Sequence, residues 1–432
     1  MSKRILQATV CGILFATAGS VAAAPFSSFE PRSFGMGGTG VASGTSANAG
    51  FFNPSLLAAA HEKEDFSLEF PIMGGRIADS DDLIDTIDDF DASNYIDAFD
   101  TVRETINAAI TASDATALNA ARQSMIDATN DLIAGFEKFN NKALIAEFEA
   151  GLMIGIPSQK LGASLYLRGW VVGGTKTVIS PADLSTLQAI SDSLADLDTF
   201  DPLIDDPLFE SVLDVRFAGI SEVGLSLARE FSIAGHDVAI GITPKYITIK
   251  TYDFRIGDES DPTTVSLDEA EIDLGNGQVD DSAVDFDIGI AKDFGNGWKV
   301  GLVAKNVIGQ AFETARGNLF ELKPQYRAGV SHQTEWTTVA FDLDLVENDP
   351  IIKDKDSGLG FDKETQYAAI GAEFDVWDTV QLRAGYRHNM SDSDTSVVTA
   401  GFGLSPFGVH LDVAGAINDD EKAVSAQLGF RF

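Results

Sequence analysis

From Phe66 onward, apolar and polar residues alternate one by one over segments of about ten residues, the signal of strands with one apolar face. In "TTVAFDLDLV" Val339, Phe341, Leu343 and Leu345 oppose Asp342 and Asp344. In "TVQLRAGYRH" Val380, Leu382 and Tyr386 oppose Gln381, Arg383 and Arg387, and in "GVHLDVAGAI" Leu411 and Val413 oppose His410 and Asp412. The last stretch, "AVSAQLGFRF", places Val424, Ala426, Leu428, Phe430 and Phe432 on one side. The polar side thus carries Asp, Arg, Gln and His, which a dry sandwich core does not accept without partners. A barrel with a polar lumen and a lipid-facing outer wall accommodates both faces, and about ten residues is the length of a tilted membrane-crossing strand. The pattern predicts an all-β transmembrane protein, an antiparallel outer-membrane β-barrel of about fourteen strands over residues 64–432. Two segments break the rule: Pro244 interrupts "VAIGITPKYITIK" and Gly173-Gly174 weaken "VVGGTK". Each predicts a bulge or kink, where a side opening in the wall would form, or an ordinary edge distortion.

Connections alternate as well. Those after even-numbered strands are short ("PSQKLG", "SIAGHD", "GNG", "QTEWT"), and several after odd-numbered ones are long. Short periplasmic turns and long outer loops produce this alternation, and an even strand count leaves both termini in the periplasm. Two of the long loops, about residues 81–141 and 180–207, switch to a helical period. In the first, Leu118, Ala121, Met125, Leu132, Phe136 and Phe139 recur at three and four. The second opens on Ser180-Pro181, a cap and first turn, and continues through Leu184, Leu187, Ile190, Leu194 and Leu197. These faces are expected to pack on each other or on the barrel mouth.

The chain's start fixes the compartment. Lys3 and Arg4, an apolar run, and "SVAAA" form a signal peptide over residues 1–23. Cys11, the one cysteine, lies within it, so the exported chain has none and holds together without disulfides. The composition, with 29 Phe, 40 Gly and 22% charged residues, suits a barrel, and the final strand ending on Phe432 resembles that of bacterial outer-membrane barrels, where Phe430 and Phe432 would serve as the signal read by the assembly machinery. A net charge of −36 removes nucleic acid as a ligand, because phosphate binding needs clustered Lys and Arg. It suits solubility, or loops that gather divalent cations beside lipopolysaccharide. Outer-membrane lipid, lipopolysaccharide and the assembly machinery are therefore the expected partners.

Residues 24–63 are rich in glycine, and Gly35, Gly37 and Gly40 fall in the spacing G-x-G-x-x-G. A dinucleotide loop needs a buried strand before it and a helix after it. Here two prolines precede the motif and poor helix formers follow it, so it does not bind a nucleotide. Preceding the first strand, the segment is expected to fold into the lumen as a plug, with Gly35, Gly37, Gly38 and Gly40 allowing close backbone approach and positive φ. Phe51, Phe52, Leu56 and Leu57 would fill apolar space, and Asn53-Pro54 would make a tight turn.

"RSFGMGGTGVASGTSANAGFFNPSLLA" resembles the N-terminal signature of the outer-membrane barrel family labelled TraF-type plasmid-transfer proteins. It is also similar to the start of the FadL-like transporters, whose signature contains Asn-Pro-Ala-Leu; this chain has Asn53-Pro54-Ser55. The resemblance covers about residues 30–58. It implies a hatch inside a fourteen-stranded barrel and the movement of fatty acids or aromatic hydrocarbons through a lateral opening, with Phe51, Phe52, Asn53, Pro54, Leu56 and Leu57 as the hatch and the candidate resting place of a ligand. The TraF name is shared with a thioredoxin-like periplasmic protein, whose alternation of strands and helices this chain lacks.

Other chemistry finds little support. His61, His236, His332, His388 and His410 show no zinc spacing, and "DDLIDTIDDFD" lacks the glycine and final Glu of a calcium loop. No G-x-S-x-G occurs. The sequence is read as a non-enzyme with no metal and no cofactor. Three functions compete: a channel for hydrophobic small molecules, a structural part of a conjugal-transfer or secretion apparatus, and a surface receptor built on the outer helices.

Overall fold

The computed structural model describes residues 28–59, 65–79, 81–195, 209–257, 264–265, 277–353, 364–377 and 379–431. Residues 1–23, expected to be a signal peptide, and Phe432 lie outside the described residues. Fourteen strands form the wall. They are β1 (Ser67–Ala78), β2 (Ala143–Ile156), β3 (Gly162–Val178), β4 (Val212–Ile233), β5 (His236–Ile256), β6 (Gln278–Asp293) and β7 (Trp298–Lys305). The second half comprises β8 (Gln325–Gln333), β9 (Thr337–Asp344), β10 (Tyr367–Val376), β11 (Val380–Asn389), β12 (Val397–Leu404), β13 (Val409–Ile417) and β14 (Glu421–Arg431). Each pairs antiparallel with its sequence neighbours, and β14 pairs with β1 from Ser67↔Arg431 to Ala78↔Glu421. The barrel is closed. Closure removes the unpaired edge that hydrocarbon cannot solvate.

The alternation read from the sequence holds with its polar side inward. Val339, Phe341, Leu382, Leu411 and Val413 are exposed on the outer wall, whereas Asp342, Gln381, Arg383, His410 and Asp412 are buried in the lumen. Connections are short at one end; the β4–β5 turn is only Ala234-Gly235, both at positive φ, the hairpin geometry that matches strand twist. Phe294, Trp336, Trp377 and Phe407 stand exposed at four of these turns, an interfacial girdle of aromatic side chains.

The other end carries helices α4 (Leu83–Ser93), α5 (Tyr95–Thr111), α6 (Ala115–Phe139) and α7 (Pro181–Ala195). Asp114 caps α6 by accepting from the amides of Thr116 and Ala117, both at 3.0 Å. Their apolar faces meet around Phe90, Ile106, Met125, Leu132, Phe136, Leu187 and Leu194. The helices thus pack chiefly on one another; Leu197 lies outside the described residues. Two loops add a three-stranded sheet of Gln310–Glu313, Leu319–Leu322 and Ile352–Lys353 that the periodicity had not indicated. Its Phe312, Phe320, Leu322 and Ile352 pack on inward-facing Trp170, Val172, Ile220 and Ile249, capping the outer half of the lumen.

The irregular point of the wall differs from the one expected. Register is unchanged across Pro244, with Gly224↔Lys245 on one side and Leu227↔Ile242 on the other. Pairing also runs unbroken through Gly173 and Gly174. A missing proline donor there leaves a local gap in the ladder and no displacement. The register shifts instead in β1, where Glu69↔Gly429 is followed by Ile72↔Gln427, three steps against two. Phe70-Pro71 forms this bulge, which turns Ile72 into the lumen and Phe70 out.

A charge on the outer face tests the lipid assignment. Ile370→Arg, near the middle of β10, is expected to destabilise the barrel by about 2–4 kcal/mol in equilibrium unfolding from lipid bilayers. An effect near zero would place Ile370 outside the hydrocarbon.

Candidate functional site: the plugged lumen

Residues 28–59 fill the inner half of the lumen and are buried almost throughout. The segment is built from three short helices, α1 (Pro31–Gly35), α2 (Ala49–Phe52) and α3 (Leu56–Ala59). Glu30 caps α1, accepting from the amides of Arg32 and Ser33 at 3.1 and 2.9 Å, and Pro31 opens its first turn. Glu30 also accepts from the Asn48 side chain at 2.8 Å, tying the start of α1 to the start of α2. Gly37 and Gly38, at φ 74° and 83°, turn the chain after α1. Asn53 makes the second turn: its side-chain N–H donates to the Val41 carbonyl at 2.9 Å, and its side-chain oxygen accepts from the Ser55 hydroxyl at 2.6 Å.

The wall meets this backbone with glycine. A Cβ at Gly371 would overlap the Met36 carbonyl, at Gly385 the Gly37 amide, at Gly289 the Asn53 side chain and at Gly301 the Val41 carbonyl. Within the plug a Cβ at Gly40 would overlap the Phe52 ring, and Gly35 lies against Gly401. The sequence reading attended to the plug's glycines and missed those of the wall. The signal was present: glycines at inward positions of alternating strands, where a packed lumen otherwise demands side chains.

Polar groups then latch the plug. The Asp342 carboxylate accepts from the amides of Gly40 and Val41 at 2.8 and 3.0 Å. Arg32 forms an ion pair with Glu373 at 2.8 Å and donates to the Ser43 carbonyl at 2.8 Å. Thr399 links the Gly35 carbonyl and Gly37 amide, Ser331 donates to the Ala42 carbonyl, and Lys305 donates to the Phe51 carbonyl at 2.9 Å. Glu373 also binds Arg383 at 2.7 Å, which reaches Asp412 at 2.5 Å. Glu69 binds His410 at 2.5 Å and accepts from Gln427 and Arg431. Of the lumenal charges found by alternation, Asp344, Arg383, Arg387, His410 and Asp412 are held in pairs and Asp342 is met by the plug's amides.

Phe51 and Phe52 pack against Ile72, Met153, Tyr166 and Val303, and Leu56 and Leu57 against Ala228, Ala239 and Ala291. All four are at most 2% exposed, an anchoring arrangement. Phe430 pairs with Leu68 and Val409, joining the last strand to both neighbours. Between the plug and the outer three-stranded sheet lies a cavity of about 170 Å³. Arg168, Trp170, Glu222, Lys245 and Lys305 line it from the barrel wall, and the outer loops line it with Leu322, Pro324 and Ile351 together with Glu321, Lys323, Glu347 and Asp349. Its lining is largely polar, unlike the apolar pocket that a purely hydrocarbon path leads one to expect.

A closed fourteen-stranded barrel with an apolar outer wall, aromatic turns and a lumenal plug defines a transmembrane protein of the bacterial outer membrane. The chain belongs to the family described as "F plasmid transfer operon, TraF, protein", which matches residues 50–344. No curated protein matches it in sequence. Its fold is similar to that of the Ralstonia pickettii toluene transporter TbuX, with 12% identity and a TM-score of 0.50 over 94% of this chain and 98% of that one. It is likewise similar to the Pseudomonas putida toluene transporter TodX, with 11% identity and a TM-score of 0.50 over 96% and 99% of the two chains. The fold is FadL-like.

Asp342→Ala removes two hydrogen bonds to a charged acceptor, each worth about 1.5–3 kcal/mol. Amide exchange at Gly40 and Val41 is expected to quicken at least about tenfold, with the wall strands unchanged. Gly385→Val is expected to go further and expel the plug, exposing residues 28–59 to protease while the barrel keeps its heat-modifiable migration. Continued protection in both variants would show that the plug is held by other means.

Proposed function

We propose that this protein is a plugged channel through which small hydrophobic molecules cross the outer membrane. The observation that carries the reading is the way the plug is held. It adds no strand to the wall; among the described residues its links are side-chain hydrogen bonds, one ion pair, apolar packing and the Ser158 amide on the Leu57 carbonyl. Such a segment can shift without unzipping the barrel, whose ladder is complete without it. A movable obstruction has a purpose in a lumen that conducts. The toluene transporters of similar fold support the same reading.

A role in a conjugal-transfer or secretion apparatus is the second reading, favoured by the family's description. One experiment separates the two. Cells producing the chain are expected to take up radiolabelled toluene or octanoate several-fold faster than cells lacking it. Deleting residues 28–59 is expected to raise entry of unrelated solutes as well. Equal uptake with and without the protein would sink the channel reading and leave the assembly role.

A further inference from the structure

The connection between β7 and β8, residues 306–324, folds back over the lumen. Its two strands, Gln310–Glu313 and Leu319–Leu322, pair with each other, the second also with Ile352–Lys353, and neither shares a ladder with the wall. Phe312, Phe320 and Leu322 carry its contact with Trp170, Ile220 and Ile249 of β3, β4 and β5. Apolar contact of this kind is non-directional, so it does not fix one orientation of the loop. Leu322, Lys323 and Pro324 also line the cavity, which the loop closes on that side.

Directed bonds gather at the loop's base and tip. At the base Asn306 and Gly309 take positive φ, 53° and 74°. The Asn306 amide donates to Asp287 at 2.8 Å, and the Ile308 and Gly309 amides donate to Asp285 at 3.0 and 3.2 Å, which pins the base to β6. At the tip Gly317, at φ 78°, turns the chain. From this turn Thr314 and Asn318 donate to Asp253 at 2.5 and 2.7 Å. Arg316 binds Asp214 at 2.8 Å and Asp253 at 3.4 Å. Both carboxylates are buried on the wall, in β4 and β5, and the wall supplies them with cations of its own. Arg216 lies 3.0 Å from Asp214 and 3.7 Å from Asp253, and Arg255 lies 2.9 Å from Asp214.

We infer that residues 306–324 are a hinged lid on the outer mouth of the lumen, latched to the wall by Thr314, Arg316 and Asn318. The pinned base at Asn306 to Gly309 is the hinge. Release breaks the side-chain contacts of the tip and moves Arg316 into water. Stranding a buried charge without its partner is strongly unfavourable. Arg216 and Arg255 spare the open state that penalty, because they stay beside Asp214 and Asp253. Exposure of Phe312, Phe320 and Leu322 opposes opening, so the closed state predominates. The plug then shuts the inner half of the lumen and the lid the outer half. Such a lid goes beyond the channel reading, since it concerns how the outer end closes whatever the cargo.

Cys11 is the one cysteine of the chain and falls within residues 1–23, so introduced cysteines can report on the lid. Ile249→Cys places a thiol on the wall beneath the lid, and Ser124→Cys places one on the exposed face of α6. The mature protein in detergent is treated with a charged maleimide. Ile249→Cys is expected to react at least about tenfold more slowly than Ser124→Cys, yet to completion while the barrel keeps its heat-modifiable migration. Adding Arg316→Ala is expected to quicken the reaction at least about tenfold, and adding Asn318→Ala about threefold or more, with Ser124→Cys unaffected by either. If Arg316→Ala does not fold, Asn318→Ala decides. Labelling of Ile249→Cys as fast as Ser124→Cys with the latch intact would show that no lid covers the wall. No labelling of the folded barrel, or rates unmoved by the latch variants, would show a fixed cap. Either result overturns the inference. Equal solute uptake with and without the protein would defeat the channel reading, while labelling still decides the lid.

Discussion

Hydrogen-bond closure in hydrocarbon is the constraint from which the rest of this structure follows. Every backbone amide and carbonyl that faces lipid needs a partner, and a continuous ladder through the β14–β1 seam supplies it. Once the sheet closes, a period of two divides each strand between lipid and lumen. The lumen side then inherits residues that no lipid-facing surface tolerates: Glu69, Arg383, His410 and Asp412 among them. Burial forces those groups into pairs, and Arg383–Asp412 and Glu69–His410 each reach over an intervening strand, so the interior charges brace the same wall that created their isolation.

The plug solves a second problem, that of filling a lumen too wide for wall side chains alone. It does so with backbone. Short helices and turns expose carbonyls and amides, and the wall answers them with a carboxylate at Asp342, hydroxyls at Thr399 and Ser331, and an ammonium at Lys305. Glycines at Gly289, Gly301, Gly371 and Gly385 give the room for that approach. Apolar anchors at Phe51, Phe52, Leu56 and Leu57 exclude water from the contact, which strengthens each polar latch beside them. The result is firm attachment without shared strands, a combination suited to an obstruction that moves.

Between the plug and the outer sheet the lumen is amphipathic over a short distance. The wall contributes Arg168, Glu222, Lys245 and Lys305 to the cavity; the outer loops add Glu321, Lys323, Glu347 and Asp349 beside Leu322 and Ile351, while Phe312 and Phe320 pack on Trp170 and Ile220. A path through this barrel therefore presents a solute with both kinds of surface in turn. That distinguishes it from a uniformly apolar conduit and sets the chemical terms on which any cargo would pass.

The sequence by itself determined the wall. A side-chain period of two is local and visible in one strand, as Val339, Phe341, Asp342 and Asp344 show, and loop lengths and helical periods are local too. It also indicated that the glycine-rich segment belongs inside. What it left open depended on contacts between distant positions. Pro244 and Pro71 look alike as interruptions, yet only the pairing of β1 with both its neighbours makes Pro71 the bulge. The glycines of the wall gain meaning only when Met36, Gly37, Val41 and Asn53 come against them. The convergence of Arg168, Trp170, Lys245 and Lys305 on one cavity draws on three strands, β3, β5 and β7, and no periodicity records which rows of a closed barrel end up facing each other across its interior.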